Sequence, residues 1–200
     1  MQHRLLAVAV ALAMWSGAAP AGAMTTLLEG KRLLITNRLP DNEARNKLTV
    51  TARSEELAIS PPGSDGDPTC AGAGGGGGKI TVTSLTTGET HTSVLPCENW
   101  TGRKTGSWRY NDKDLIVGTC KRVEIRSTRS LKAICLGRGP AALDFDLQEG
   151  RAQQPIDVRL EVGAGPDRYC MRFGGEVKDD GASGTKFLAR DSAAPTSCDP

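Results

Sequence analysis

All six cysteines of this 200-residue chain, at positions 70, 97, 120, 135, 170 and 198, lie downstream of an N-terminal stretch that reads as an export signal. That stretch has a basic start at Arg4, an apolar run from Leu5 to Trp15, and small residues ending in Ala21-Gly22-Ala23, an A-x-A cleavage pattern. The run falls well short of the roughly 20 residues that span a bilayer. No second apolar run follows, so no membrane span is expected. Residues 1–23 are read as a signal peptide and residues 24–200 as a single β-rich domain, periplasmic or extracellular in destination. An even number of cysteines in an exported chain implies disulfides, and many pairings are open. The expectation is sequence neighbours: Cys70 with Cys97, Cys120 with Cys135, and Cys170 with Cys198. Loops of roughly 15 to 30 residues would each add about 3 to 4 kcal/mol by chain-entropy reasoning. That amount matters where aromatic residues are only 4% of the chain. Metal ligation is the weaker reading, because there is no C-x-x-C and only one histidine, His91, after the leader.

The rest of the chain shows period-two alternation punctuated by Gly, Pro, Asp and Ser clusters, with almost nothing at helical spacing. Candidate strands are Arg32 to Thr36, Lys47 to Arg53, Glu56 to Ile59, Lys79 to Leu85, Thr90 to Leu95, Ser107 to Tyr110, Lys121 to Arg126, Leu131 to Leu136, Ala142 to Leu147, Ile156 to Val162, Arg168 to Phe173 and Lys186 to Arg190. About ten to twelve short strands at this spacing predict an all-β fold, an antiparallel β-sandwich or barrel-like body held by disulfides.

Lys121 to Leu136 is the clearest hairpin. Pairing Val123 with Ala133 and Ile125 with Leu131 puts the apolar side chains on one face. That register does not bring Cys120 opposite Cys135. A bulge near Cys120, just after Gly118-Thr119, is needed if the two are bridged.

Familiar catalytic arrangements are missing. The run Ala71 to Lys79 offers bare backbone amides, but Ile80 follows the lysine where a phosphate loop needs a hydroxyl, and the next residues alternate like a strand. It is read as a flexible glycine loop held at its base by Cys70. His91 alternates with Thr90 and Thr92 and is read as a surface strand histidine. No G-x-S-x-G is present, and six oxidised cysteines leave no thiolate. Asp144 and Asp146 share a face of an expected strand, a pattern that usually marks the solvated side. Asp65-Gly66-Asp67 and Asp179-Asp180-Gly181 place oxygens near glycine, as calcium sites do, but lack EF-hand spacing and read as turns. No cofactor or metal is expected.

Charge distribution carries more. Without the leader the chain holds 24 Lys plus Arg against 23 Asp plus Glu. Residues 100–138 nevertheless hold ten basic side chains against three acidic ones, a local +7. Arg103, Lys104, Arg109, Lys121, Arg122, Arg126, Arg129 and Lys132 are the candidate polyanion-binding residues within it. Trp100, Trp108 and Tyr110 lie among them, either as core residues or as surfaces for stacking on rings.

Leu33-Leu34-Ile35, Lys47-Leu48-Thr49-Val50, Pro62 to Thr69, Leu95-Pro96 with Trp100, Leu131 to Cys135, Arg168-Tyr169-Cys170 with Phe173-Gly174-Gly175, and Ala193 to Cys198 together give a further pointer. This set resembles a recurring β-rich secreted module of bacterial exoproteins that has no assigned activity. The resemblance spans nearly all of the chain after the leader and implies export and a β fold, without supplying catalytic residues. The expectation is therefore a secreted, non-enzymatic structural or binding module whose partner is an anionic polysaccharide or the envelope surface, with no role for nucleic acid. The alternative is a carboxylate-based polysaccharide hydrolase. Oligomeric state is not legible.

Overall fold

Strands that alternate apolar and polar side chains each bury one face, and two sheets laid together bury both. The computed structural model describes residues 23–37, 43–103 and 106–199, and the chain forms such a sandwich. Its strands are β1 (Thr25–Leu27), β2 (Glu29–Thr36), β3 (Lys47–Arg53), β4 (Gly78–Ser84), β5 (Thr90–Leu95), β6 (Trp100–Arg103), β7 (Ser107–Asn111), β8 (Cys120–Arg126), β9 (Ser130–Leu136), β10 (Ile156–Val162), β11 (Asp167–Phe173), β12 (Glu176–Asp180) and β13 (Lys186–Ser192). Five form one sheet in the order β1-β11-β10-β4-β5, and eight form the other in the order β12-β13-β2-β3-β9-β8-β7-β6. All pairings are antiparallel except β1 with β11. Neither sheet closes on itself, so the fold is a sandwich and not a barrel. Among the described residues helical structure is limited to three-residue 3-10 turns, and no helix is long and apolar enough to cross a membrane.

The inward positions supply one contiguous core. Ile80, Val82, Val158, Leu160, Tyr169, Met171 and Phe173 come from the smaller sheet. Leu33, Ile35, Leu48, Val50, Val123, Ile125, Leu131 and Phe187 come from the larger. Each such side chain contributes about 1.5 to 3 kcal/mol on leaving water. The sheets come close where Gly30 on β2 faces Phe173 on β11: a Cβ on Gly30 would stand 2.5 Å from a ring carbon. A glycine there lets a large ring fill the gap.

The disulfides are Cys70–Cys97, Cys120–Cys135 and Cys170–Cys198, with sequence separations of 27, 15 and 28. The β8–β9 hairpin has the expected register, Val123 opposite Ala133 and Ile125 opposite Leu131. A bulge between Cys120 and Arg122 then brings Cys120 opposite Cys135.

Several expectations need correction. Glu56 to Ile59 and Ala142 to Leu147 are not strands. Leu57, Leu143, Phe145 and Leu147 are buried, so the alternation is real, but no strand pairs with either segment. The second segment instead joins the two sheets: Asn46 donates to the Leu143 carbonyl (3.1 Å), and the Asp146 amide donates to Glu89 (3.2 Å). Strands β1, β6 and β12 were not expected. The glycine run is not a free loop. Residues Gly74 to Gly77 all have positive φ, the Gly77 amide donates to the Pro68 carbonyl (2.7 Å), and a Cβ on Gly76 would stand 2.0 Å from the Thr69 carbonyl oxygen. Only glycine follows that path. Residues 1–22, which hold most of the expected signal peptide, lie outside the described residues.

Candidate functional site: a basic sheet face

Strand pairing fixes which side chains share the outer face of the larger sheet. One row across it runs Thr101, Arg109, Glu124, Lys132, Thr51, Arg32, Arg190 and Glu176. The next row runs Arg103, Ser107, Arg126, Ser130, Arg53 and Glu29. On the other side Arg122 stands in a row with Asn111, Ile134 and Thr49. Across these rows eight cations face three carboxylates.

Of the candidates read from the sequence, Arg103, Arg109, Arg122, Arg126 and Lys132 therefore converge on one face. Lys121 is the extra residue of the β8 bulge, where its carbonyl accepts the Asp112 amide (3.0 Å). Arg129 sits in the turn between β8 and β9. Lys104 lies outside the described residues. Sequence reasoning missed Arg32, Arg53 and Arg190, which reach the same face from β2, β3 and β13. They are distant in sequence and only the strand order brings them in.

Glu124 is the organising carboxylate. It is 7% exposed and accepts from Arg122 Nη2 (3.0 Å) and from Arg126 Nε and Nη2 (3.0 and 2.8 Å). Burial opposes its ionisation, but hydrogen bonding from Arg126 and the charges of Arg126 and Arg122 outweigh that and hold its carboxyl below the usual glutamate value. Among the described residues, Arg32, Arg53, Arg103, Arg109, Arg129 and Lys132 form no ion pair. The outer face of the smaller sheet contrasts with this. There Glu161 collects Lys79, Arg159 and Arg168 within 3.1 to 3.7 Å, and Asp157 holds Arg172 at 2.7 Å. Each of these four cations lies within ion-pair distance of a carboxylate, whereas six around the larger sheet's face do not.

At the lower end of the basic face a groove of about 570 Å³ is lined by Arg103, Ser107, Glu124, Arg126, Ser127, Thr128 and Arg129. The β8–β9 turn forms its wall and is tied down at two points: the Thr128 amide donates to the Leu57 carbonyl (2.7 Å) and the Ser127 amide to the Gly106 carbonyl (3.1 Å). This is how Leu57, in a segment without strand pairing, positions Arg129. Guanidinium groups and hydroxyls in this spacing can bind sulfate, phosphate or carboxylate groups along an extended anion.

The tryptophans do not contribute a stacking surface. Trp100 and Trp108 are 4% and 3% exposed, and Trp100 meets the Tyr110 ring edge-on with centroids 5.5 Å apart. Burial pushes the Tyr110 phenol up to about 12.

A second polar cluster overturns the surface reading of His91. On β5 the inward positions are His91, Ser93 and Leu95, and His91 is 4% exposed. Its Nε2 meets Thr119 Oγ1 (2.9 Å) and its Nδ1 meets Asp144 Oδ1 (2.5 Å). Hydroxyl, imidazole and carboxylate are thus in line as in a hydrolase triad, but with the exposures reversed. The hydroxyl is 1% exposed, while the Asp144 side chain is 69% exposed. The adjacent Thr119 and Cys120 amides, which an oxyanion would need, donate to Ser93 Oγ (3.0 and 3.3 Å). This cluster ties β5 to β8 and to the 142–147 segment. Asp144, Asp146 and Glu149 line a separate groove of about 570 Å³ beside Asn37 and Asn46. In the Asp65-Gly66-Asp67 turn the Asp67 carboxylate is satisfied within its own loop: it accepts from the Gly63 and Thr69 amides and the Thr69 hydroxyl (2.7 to 2.8 Å).

The chain matches no protein-family model, no curated protein and no solved structure.

Proposed function

We propose that the protein is an exported, non-enzymatic binding module that holds an anionic polysaccharide or anionic envelope surface against the outer face of its larger sheet. The carrying observation is the convergence on that face of Arg32, Arg53, Arg103, Arg109 and Lys132, cations from five strands without an ion pair among the described residues, beside a smaller sheet whose outer cations each lie within ion-pair distance of a carboxylate. A rigid, disulfide-tied sheet presents these cations with their backbones already fixed, which reduces the ordering cost of binding. The reading also suits the resemblance to secreted bacterial modules. A heparin-type column tests it. The mature protein should bind at low salt and elute as salt rises, and Arg126→Glu with Lys132→Glu should elute earlier. Flow-through at every salt concentration would end the proposal.

The alternative, polysaccharide hydrolysis, draws on the groove that holds Asp144, Asp146 and Glu149. A general acid is made by burying a carboxyl away from water, and the Asp144 side chain is largely exposed. Release of new reducing ends from an anionic polysaccharide, lost in Asp146→Asn, would favour this alternative over simple binding.

A further inference from the structure

Strand β1 is three residues long and forms an edge of the smaller sheet, parallel to β11. The residue before it, Met24, is held at both ends of its backbone. Its nitrogen donates to Asp167 Oδ1 (3.1 Å), and its carbonyl accepts from the Arg168 amide (2.7 Å). Ala23, one residue earlier, is exposed.

Asp167 is 2% exposed. Its other oxygen accepts from Ser60 Oγ, and Gly66 lies so close that a Cβ there would stand 2.3 Å from Oδ2. The neighbouring Arg168 directs its guanidinium to Glu161 (3.6 Å). Among the described residues no lysine, arginine or histidine pairs with Asp167. In the uncleaved chain this carboxylate is therefore buried against neutral donors only, which is costly for an ionised group. Among the described residues, the one backbone nitrogen that reaches it belongs to the residue that directly follows the Ala21-Gly22-Ala23 cleavage pattern.

We propose that removal of the leader after Ala23 converts the Met24 nitrogen from an amide into an α-ammonium that forms an ion pair with the buried carboxylate of Asp167, so that processing itself secures β1 against β11. The step is hydrolysis of one peptide bond. Water's oxygen goes to the Ala23 carbonyl, which leaves as a carboxylate, and the Met24 nitrogen is protonated to an ammonium. An α-amino group with an ordinary pKa of about 7.7 to 8.0 is cationic at neutral pH, and pairing with a carboxylate holds it so. One N–H bond to Asp167 is replaced by a charged group with three N–H donors at the same place. The inference rests on the leader and its cleavage point, and is independent of the polyanion reading.

The test compares folded, oxidised chains that begin at Met24 or at Ala23, each with Asp167 or with Asp167→Asn. Intact mass of the exported protein should match a chain that begins at Met24. In denaturant, the unfolding constant of the Met24 chain should be at least tenfold smaller than that of the Ala23 chain, and this advantage should vanish in Asp167→Asn. If Asp167→Asn does not fold, the Met24 chain acetylated at its α-amine takes its place and should lose the same advantage. Processing at another bond, equal stability of the two starts, or an advantage that survives Asp167→Asn or acetylation would overturn the proposal.

Discussion

Replacing Glu124 by Gln should make the protein less stable and a better binder of polyanions. Glu124 is the buried carboxylate of the basic face, and it occupies Arg122 and Arg126 through three hydrogen bonds of 2.8 to 3.0 Å. Gln keeps the shape but loses the charge. Hydrogen bonds to charged groups are worth about 1.5 to 3 kcal/mol. The Arg122 and Arg126 side chains are 38% and 48% exposed, so solvent screening reduces the loss to about 1 to 2 kcal/mol. For a domain of this size that lowers Tm by roughly 2 to 8 °C. The pH dependence follows from a carboxyl held below its ordinary value. Its contribution is present above the unfolded glutamate pKa of about 4.3 and is lost as pH falls through the lower folded value. The gap between parent and Glu124→Gln should accordingly close in acid. Binding should move the other way. Two released guanidinium groups can each meet an anionic group, steepening the dependence of log K on log salt by about 0.7 to 0.9 per contact, the scale known for nucleic acids. Thermal melts across pH, with elution from a sulfated matrix at several salt concentrations, measure both. Weaker retention of Glu124→Gln than of the parent, at a temperature where both are folded, would refute this account of the face.

Gly30→Ala should cost about 1 to 3 kcal/mol by overpacking, because its Cβ would lie 2.5 Å from the Phe173 ring; an unchanged melting temperature would show that the sheets are not in contact there. Both tyrosines of the chain have raised pKa values from burial, Tyr110 to about 12 and Tyr169 also upward. Their neutral forms favour the fold below the unfolded value of about 10, and that contribution is lost as pH rises through the folded values. Ultraviolet titration should thus show little tyrosinate near pH 10 while the protein stays folded. His91→Leu should cost about 1 to 3 kcal/mol by leaving Thr119 without its partner, with retention on an anionic matrix unchanged; lost retention in a folded variant would move the binding site to His91.

The parts of this fold that the sequence displays are those decided by near neighbours. The β8–β9 hairpin could be read down to its bulge because Val123, Ile125, Leu131 and Ala133 impose one register and the two cysteines another. β3, β5 and β10 have the expected bounds because their alternation is uninterrupted. β6 was hidden by Gly102, whose missing side chain makes room for the Trp108 ring, 2.5 Å from where a Cβ would be. β12 was hidden by its polar sequence, Glu-Val-Lys-Asp-Asp, with one apolar residue to place. Alternation reports burial and not pairing, which is why the 142–147 segment looked like a strand. His91 was misplaced for a related reason: its inward side is lined by Thr119 and Ser93, so a polar face turned out to be the buried one. The basic cluster between residues 100 and 138 was visible as a count. Its continuation through Arg53, Arg32 and Arg190 depends on β3, β2 and β13 following β9 in the larger sheet, a long-range order that no local pattern encodes.

The most direct measurement is backbone-amide NMR of the chain from Met24 onward, titrated with a short sulfated oligosaccharide. The account predicts shifts concentrated on β6 to β9, around Arg103, Arg109, Arg126 and Lys132, extending to Arg53 and fading as salt is added. Shifts confined to the outer face of the smaller sheet or to the groove beside Asp144, or none at any ratio, would contradict it.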